Sequence, residues 1–458
     1  MELGFETIGN ATLICHDRRP VLATDPWLQG SAFFGSWVLS HEVPEPQRQA
    51  VEACEYVWIS HGHPDHLSWE SLERLREKTF LVPNHFGERL HRELQGRGFK
   101  VKLLLDRVWK QLSPRIRVLS IPDYNQDAVL LVELGGSLLV NVNDAEERGW
   151  GRFVRKVAAG FGRSFLLAPP RNPDAPLFQL YDEDGRWVPV PEDDVPGGVA
   201  LARRAELLGV RYVVPFSGMH RYQRKDSLWA APYLPRLDDC AATFRSRTSE
   251  LTPAFVRYDA LRDDLRPIEP APRAIVPVEP DAFGDDWSER LRPGEAARVA
   301  EYFRSMEVLA EGLDFVIARV GGEDHRIRMS AGRPRRGLTF EVPRASLLSA
   351  VAERRFDDLL LGRFMRTTLH GDWGPGRPTP DFTSTVARYA DQARVKTRGE
   401  LSAYLDDYRG RDPLGYLQHL VEGRAGNVLR GPVDAGARLF RAGLGALDSV
   451  RRAVRAVR

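Results

Sequence analysis

The sequence contains few cysteines and no long apolar run. Its three cysteines, Cys15, Cys54 and Cys240, are too few and too scattered for a disulfide framework or a four-thiolate metal site. A transmembrane helix needs about 18 or more consecutive apolar residues, and the sequence has no such run. The N-terminal residues also lack the basic and apolar segments of a secretion signal. We therefore expect a cytoplasmic protein without a transmembrane segment.

The sequence also lacks an excess of charge of one sign. Lysine and arginine together number 65, and aspartate and glutamate number 63. No overall electrostatic field would therefore draw the protein onto nucleic acid, and we expect no nucleic-acid partner. The length of 458 residues exceeds one average domain and predicts two or three compact units.

Strand-like and helix-like segments alternate as far as about residue 260, which predicts a layered α/β domain. The segment Pro169–Pro196 interrupts the alternation and is interpreted as a long insertion. The proline-rich segment Pro267–Pro280 cannot hold a helix or a central strand, so it predicts a linker at which a protease should cut. The predicted parts are a catalytic domain at 1–265, the linker at 266–286, a smaller α+β domain at 287–425 and a basic amphipathic helix at 426–458.

The strongest chemical signal is a histidine-rich run that follows a predicted buried strand, Glu55–Ser60. The run supplies four potential metal ligands within six residues: His61, His63, Asp65 and His66. Imidazole and carboxylate groups bind zinc and iron well. Alternation along an extended segment would direct His61 and His63 to one side, and a turn after Pro64 would carry the other two ligands to a second ion. The spacing therefore predicts two neighbouring metal ions.

This run resembles the signature of the metallo-β-lactamase superfamily, and the resemblance covers residues 1 to about 260. The segments Thr24–Leu28 and Gly30–Phe33 resemble the branch that contains CMP-N-acetylneuraminate hydroxylase, but without its Rieske domain. The resemblance implies an α/β protein with the four-layer αββα metallo-β-lactamase fold.

The resemblance also implies roles for residues far from the histidine run. Asp144 matches the carboxylate that bridges both metals, His220 matches the last histidine ligand, and Asp25 matches an aspartate that orients a ligating histidine. Asp65 and Asp144 are the predicted catalytic carboxylates. The predicted ligands of one ion are His61, His63 and Asp127, and those of the other are Asp65, His66 and His220.

The sequence departs from the superfamily's hydrolases at one ligand. No histidine lies between His91 and His220, where the hydrolases have a further histidine ligand. The corresponding loop runs from Pro122 to Asp127. Asp127 is the first candidate replacement and Asp123 the second, with an amide or water as further alternatives. A carboxylate at this position favours iron over zinc.

The segment after His220 carries Arg221, Tyr222 and Arg224, which predict a binding site for an anionic substrate. The alternative for Arg224 is an ion pair with Asp226.

The leading hypothesis for function is a diiron oxygenase that acts on a small, polar, anionic molecule. The sequence lacks the paired Cys-His motifs of a Rieske cluster, so electrons would come from a separate reductase. One alternative is a hydrolase of an ester, lactone or phosphodiester that contains zinc or mixed metals. Another is a binding protein with a vestigial site.

Overall fold

The computed structural model describes residues 1–170, 179–188, 195–330, 335–371, 373, 382 and 384–417. The predicted amphipathic helix at 426–458 lies outside the described residues, as do parts of the predicted insertion.

The strands of the described residues, in chain order, are β1 (Leu3–Ile8), β2 (Thr12–Asp17), β3 (Arg19–Thr24), β4 (Trp37–Leu39), β5 (Tyr56–Trp58), β6 (Thr79–Pro83), β7 (Lys100–Leu104), β8 (Lys110–Ser113), β9 (Ile116–Pro122), β10 (Ala128–Leu134), β11 (Ser137–Asn141), β12 (Arg163–Ala168), β13 (Gln179–Tyr181), β14 (Trp187–Val188), β15 (Tyr212–Pro215), β16 (His220–Tyr222), β17 (Glu250–Leu251), β18 (Val256–Asp259), β19 (Asp264–Pro267), β20 (Phe315–Val320), β21 (Glu323–Arg328), β22 (Gly337–Glu341) and β23 (Arg366–His370).

The α-helices of the same residues are α1 (Glu45–Ala53), α2 (Trp69–Glu73), α3 (Arg89–Gly96), α4 (Gly151–Ala158), α5 (Gly197–Leu208), α6 (Leu237–Thr243), α7 (Glu295–Arg304), α8 (Arg344–Glu353), α9 (Asp357–Leu361) and α10 (Arg398–Arg411). Short 3-10 helices occupy Lys225–Tyr233, Pro280–Phe283 and Glu307–Glu311, and a π-helix occupies Ser384–Gln392.

Two large sheets form the first part of the molecule. The first has the order β19-β18-β1-β2-β3-β5-β6-β7, and the second has the order β17-β15-β12-β11-β10-β9-β8. In each sheet one end is parallel, from β3 to β7 and from β17 to β11. The hairpin between β10 and β11 turns at Gly135 and Gly136, whose φ angles of 55° and 83° match the two glycines of a type I′ turn.

The apolar side chains divide this part into four layers. One cluster, which includes Phe5, Leu130 and Phe165, fills the space between the two sheets. A second cluster packs α1, α2 and α3 on the outer face of the first sheet. A third packs α4 and α5 on the outer face of the second sheet. The predicted αββα fold is therefore confirmed.

A third sheet, of order β14-β13-β23-β22-β20-β21, forms the centre of a further unit. Helices α7, α8 and α9 pack on it through a core that includes Phe303, Phe340 and Phe356. Strands β13 and β14 come from the predicted insertion, and β13 pairs in parallel with β23. The insertion thus contributes strands to the C-terminal sheet.

The proline-rich segment after β19 lies along the first unit. The backbone amide of Glu42 donates to the carbonyl of Ala271 over 2.9 Å, and that of Arg273 donates to Ser40 over 3.0 Å. Farther along, the amide of Lys225 donates to Val278 over 2.9 Å. We refer to residues 268–279 as the connecting segment.

None of the helices in the described part of the chain has the length and apolar character needed to cross a membrane.

Candidate metal centre

Several predicted site residues, together with Ser217, which was not predicted, follow the ends of parallel strands. Asp25 comes directly after β3, the histidine run follows β5, Asp144 follows β11 and Ser217 follows β15. Carboxyl ends of parallel strands meet at one edge of a sheet, where loops are free to carry functional groups. Because both sheets present such an edge here, residues distant in sequence converge.

His66 is fully buried, and its ion-pair partners among the described residues all belong to the first unit. Its Nδ1 lies 3.2 Å from Oδ2 of Asp25, the aspartate expected to orient one of the ligating histidines. Asp25 in turn accepts from the Ser60 amide at 2.8 Å and the Ser60 hydroxyl at 2.7 Å. The side-chain amide of Asn143 also donates to Asp25. This network fixes the ring so that Nε2 faces the opposite side.

Nε2 of His66 faces two carboxylates. It lies 3.2 Å from Oδ2 of Asp144 and 3.3 Å from Oδ2 of Asp65. Asp65 also accepts from the side chain of Asn10 at 2.9 Å, and Oδ1 of Asp144 accepts from the Ser217 hydroxyl at 2.7 Å. These hydrogen bonds orient the Asp65 and Asp144 carboxylates, with Oδ2 of each near His66.

His61 and His63 form the neighbouring side of the cluster. Nδ1 of His61 lies 2.8 Å from the Ser60 hydroxyl, and its Nε2 lies 2.8 Å from Nδ1 of His63 and 3.9 Å from Oδ2 of Asp144. Nε2 of His63 donates to Oδ2 of Asp357 at 2.9 Å. His61 Nε2 and His63 Nδ1 are therefore the atoms that face the cluster.

The spacing of these atoms fits metal binding. Two donors bound to one ion at bond lengths of about 2.1 Å lie about 3.0–3.4 Å apart at tetrahedral or octahedral angles. The distances from His66 Nε2 to the two carboxylates fall in this range. One ligand atom from each of His61, His66 and Asp144 lies within 4.8 Å of the others. The donor set of imidazoles and carboxylates suits zinc or iron.

Electrostatics also indicate that the cluster favours added positive charge. Burial disfavours the His66 imidazolium, but Asp65 and Asp144 outweigh it and raise the pKa of His66 well above its usual value. Burial and then the charges of His66 and His63 hold the pKa of His61 well below its usual value. Asp65 and Asp144 thus favour positive charge at this position, which a bound cation would also supply.

Asp127 and Asp123 lie in the loop between β9 and β10, and both are buried. Oδ1 of Asp127 lies 3.8 Å from Nδ1 of His61. Nδ1 of His61 is the nitrogen that also contacts Ser60, whereas Nε2 of His61 faces His63 and Asp144. Asp123 accepts from the Asn125 amide at 2.8 Å through Oδ1. Asp127 is therefore adjacent to His61, and the choice of ligand in this loop stays a prediction.

His220 lies on β16 and stacks face to face on Trp37, with ring centroids 3.5 Å apart. Neither ring nitrogen has a hydrogen-bond partner among the described residues, although the side chain is buried. Burial and the charges of Arg363 and Arg221 lower the pKa of His220 to about 3. A buried, neutral imidazole without a hydrogen-bond partner among the described residues fits a metal ligand. However, His220 does not belong to the group of close ligand atoms formed by His61, His66 and Asp144.

The predicted substrate-binding residues occupy three different environments. Arg221 is exposed, and Tyr222 is buried with its ring against Trp37 and His220. Arg224 is fully buried and pairs with Asp226 at 2.8 Å and Asp285 at 2.6 Å. Arg224 therefore forms the ion pair with Asp226 that was its alternative role. Because its guanidinium is buried in these pairs, the expectation that it contacts substrate is corrected.

Sequence reasoning missed two sets of residues that lie beside the cluster: His85, and the pair Asp357 and Asp358. His85 follows β6 at the same sheet edge and is close enough to His61 to contribute to lowering its pKa. Its position directly after a parallel strand was a usable signal. Asp357 and Asp358 form a second potential metal-binding group with His63. No spacing or motif connects positions 63 and 357, so the sequence offered no signal for that contact.

The four layers and the histidine-carboxylate cluster define a metallo-β-lactamase-fold protein. The chain is similar to cytidine monophosphate-N-acetylneuraminic acid hydroxylase of Sus scrofa, with 32% identity over 151 residues, or 31% of this chain and 34% of the relative. The Mus musculus protein of that name is 29% identical over 151 residues, or 26% of its length. The match thus spans about a third or less of these relatives.

Among solved structures, the chain is similar to CmlA, a diiron β-hydroxylase from Streptomyces venezuelae. The identity is 16% and the TM-score 0.36, with 56% of this chain and 54% of CmlA covered. It is also similar to the metallo-β-lactamase-fold protein YhfI from Bacillus subtilis, at 11% identity and a TM-score of 0.31, with 54% and 91% covered. No family model matches the chain.

Proposed function

We propose that the chain is a dinuclear metal enzyme, and that it is a diiron oxygenase of a small anionic substrate. The observation that carries the proposal is the convergence of His61, His66 and Asp144, with Asp65 and His63 directly beside them. Holding so many buried ionisable groups together is costly unless they bind a cation. A structural role alone does not account for this arrangement.

In this proposal His61, His63 and Asp127 hold one ion, and Asp65, His66 and His220 hold the other. Asp144 lies between the two sets, since its Oδ2 is 3.2 Å from His66 and 3.9 Å from His61. That position supports a bridging role. Two iron ions held there would supply the redox chemistry needed to activate dioxygen.

The residues around the ligands keep them in place. Asp25 accepts from Ser60 and Asn143 and so holds His66 Nδ1, which leaves Nε2 available. Ser217 holds Oδ1 of Asp144, which leaves Oδ2 directed at the histidines. Outer hydrogen bonds of this kind typically change metal affinity about 10–100-fold when they are removed.

The charge near His220 supports an anionic substrate. The positive charges of Arg363 and Arg221 both contribute to lowering the pKa of His220, and Arg221, the next residue in the chain, is exposed. Guanidinium groups bind carboxylate and phosphate groups through paired hydrogen bonds. We propose that Arg221 contributes to binding the substrate anion and that a separate reductase supplies electrons.

Two observations support an iron oxygenase over a zinc hydrolase, one concerning the metal and the other the reaction. The loop that would carry a further histidine in hydrolases presents Asp127 beside His61 instead, and carboxylates favour iron. The matched curated relatives are hydroxylases by name. The alternative, a zinc hydrolase, is favoured by the three imidazoles of the histidine run, because zinc prefers nitrogen ligands.

Metal analysis of the full chain, purified without added metal, tests the proposal. We expect about two iron ions per chain and an optical spectrum of bound iron. Two zinc ions, no visible absorption and hydrolysis of a lactone or phosphodiester would establish the alternative. Absence of metal, together with no uptake of added iron or zinc, would contradict both.

Alanine variants then test whether metal binds at the proposed ligands. We expect His63→Ala and Asp144→Ala to lose metal while keeping the fold, as judged by circular dichroism. His41→Ala is the matched control, since His41 is also buried but contacts Ser40 and Phe255 instead of the cluster. Two metals per chain in Asp144→Ala would contradict its bridging role.

A further inference from the structure

A carboxylate from the C-terminal unit contacts the histidine run. Oδ2 of Asp357 accepts from Nε2 of His63 at 2.9 Å, across 294 residues of sequence. Asp357 is the first residue of α9 and is only 4% exposed. It is therefore a buried contact between two units, and not a surface ion pair.

The bond decides which His63 nitrogen faces the cluster. A carboxylate only accepts hydrogen bonds, so Asp357 keeps a proton on Nε2 of His63. Nδ1, which lies 2.8 Å from Nε2 of His61, is then the atom that can hold a metal. Ligating histidines commonly donate their other ring N–H to a carboxylate in this way, which fixes the ring and makes it a better ligand.

The start of α9 is itself held in place. The backbone amide of Phe356, next to Asp357, donates to Oδ2 of Asp391 at 2.8 Å, and the Tyr302 hydroxyl donates to the same oxygen at 2.8 Å. Asp357 is thus attached to the packed interior of the C-terminal unit. Its position relative to His63 depends on that unit.

A second contact brings the C-terminal unit close to the histidine run. A side-chain carbon added at Gly62 would lie 2.9 Å from Oε1 of Gln392, closer than real contacts of this kind. Arg89 donates to the same Gln392 oxygen. Two residues of the C-terminal part of the chain, Asp357 and Gln392, therefore lie against the segment from His61 to His63.

We propose that Asp357 is a positioning residue for His63, so that the C-terminal unit completes the metal centre of the first unit. This inference rests on the proposed metal site but not on the identity of the metal or the reaction. Asp357 acts through the histidine ring and holds it with Nδ1 towards His61. The predicted catalytic domain alone would then lack one support of its metal site.

Metal binding by full-length variants tests the inference. Asp357→Ala removes both the charge and the hydrogen bond, whereas Asp357→Asn keeps an oxygen that can accept from Nε2. Asp285→Asn is the matched control, because Asp285 is a similarly buried carboxylate that pairs with Arg224 and accepts from the Ser346 amide, away from the histidine run. The probes are zinc titrated against a chelator and the absorption spectrum of the cobalt-loaded protein.

We expect the zinc affinity of one of two sites to fall about 10–100-fold in Asp357→Ala and by less in Asp357→Asn. The cobalt spectrum of that site should shift, which a change in folding stability alone would not cause. Asp285→Asn should bind metal as the parent does. Parent-like affinity in Asp357→Ala, or equal losses in the Asp357→Ala and Asp285→Asn proteins, would overturn the inference. A parent protein that binds no metal would instead contradict the proposed function.

Discussion

The two sides of the candidate metal centre are supported in different ways. His66 has a fully buried side chain, and its partner Asp25 belongs to the same unit. The His63 side chain is 24% exposed, and its partner Asp357 comes from the C-terminal unit. We call these the inner side and the outer side of the cluster.

This difference follows from topology. Asp25, Ser60 and Asn143 each follow a strand of the two facing sheets, so the fold of those sheets places them together. His63 lies beyond the strand end, where the first unit offers no such partner among the described residues. The inner side should therefore form with the αββα core, and the outer side should depend on the contact between units.

Removing the inner support should have the largest effect. In Asp25→Ala, Ser60 and Asn143 lose an acceptor and His66 loses its partner. Breaking a buried charged network costs about 3–5 kcal/mol, so we expect that loss in the free energy of unfolding, together with loss of metal. Urea denaturation and elemental analysis measure the two effects.

A buried aspartate elsewhere controls for the loss of stability. Asp285 pairs with Arg224 at 2.6 Å and accepts from the Ser346 amide at 3.0 Å, away from the cluster. Asp285→Ala should also destabilise the fold but retain both metals. If Asp25→Ala keeps its metals as well, the inner side does not depend on Asp25.

The loop from Pro122 to Asp127 tests which carboxylate serves the metal near His61. Asp127→Ala should lower metal affinity about 10-fold or more. Asp127→His should reduce iron relative to zinc, because imidazole removes a negative charge and suits zinc. Metal competition followed by elemental analysis measures both.

Asp123→Ala is the matched comparison within the same loop. If it loses metal while the Asp127 variants do not, Asp123 is the ligand. Normal metal binding in all three variants would remove the carboxylate argument for oxygen chemistry.

The inner side was more accessible to sequence reasoning than the outer side. The strand before His61 follows a local pattern and the αββα fold follows the family motif, and the structure confirms both. The resemblance assigned Asp25 the task of orienting a ligating histidine without indicating which one, and in the structure Asp25 lies 3.2 Å from His66. These features depend on local periodicity and on a family motif, both of which a single sequence carries.

The remaining features depend on how distant segments pack. The pairing of β13 with β23 and the contact of Asp357 with His63 join segments more than 180 residues apart in sequence, without a shared motif. The environment of Arg224 likewise depends on Asp285 in a later segment. Composition near position 224 could not decide between an ion pair and a substrate contact.

Helix α10 makes a further contact beside the cluster, and this contact can be weakened. Tyr408 on α10 donates its hydroxyl to Nδ1 of His85 at 3.0 Å and accepts from Gln126 at 3.1 Å. Tyr408→Phe should cost about 1–2 kcal/mol and lower metal affinity only a few-fold, because the loop before Asp127 loses one support. Tyr212→Phe, in the second sheet, should leave metal affinity unchanged, and a similar loss in both variants would argue against a specific contact.

The pH dependence of stability should also distinguish the outer side. Burial, and next the charge of Asp357, raise the pKa of Asp391 to about 7 from an ordinary value of 3.8. The folded state thus holds this proton more tightly than the unfolded state. The contribution of Asp391 to stability is fully present below about pH 4 and is lost as the pH rises through about 7.

Replacing Asp391 with asparagine should remove that loss. Urea denaturation at pH 5.5 and pH 8 should show Asp391→Asn gaining stability relative to the parent at the higher pH. The hydrogen bonds from Phe356 and Tyr302 can be kept by the amide oxygen. An equal difference between variant and parent at both pH values would show that Asp391 does not titrate in this range.

The smallest expected effect concerns the connecting segment, residues 268–279, through which the chain passes to the C-terminal unit. Its sequence predicted a protease-sensitive linker, but its backbone is hydrogen-bonded to Ser40, Glu42 and Lys225. The Arg273 side chain also pairs with Glu42 at 2.7 Å. Cleavage requires an extended segment that can leave the surface, so trypsin should not cut first after Arg273.

Glu42→Ala should increase cleavage there only modestly, since the backbone bonds remain. Early release of a fragment of about 270 residues from the parent would show a loosely joined C-terminal unit, and the dependence of the outer side on that unit would then need another explanation.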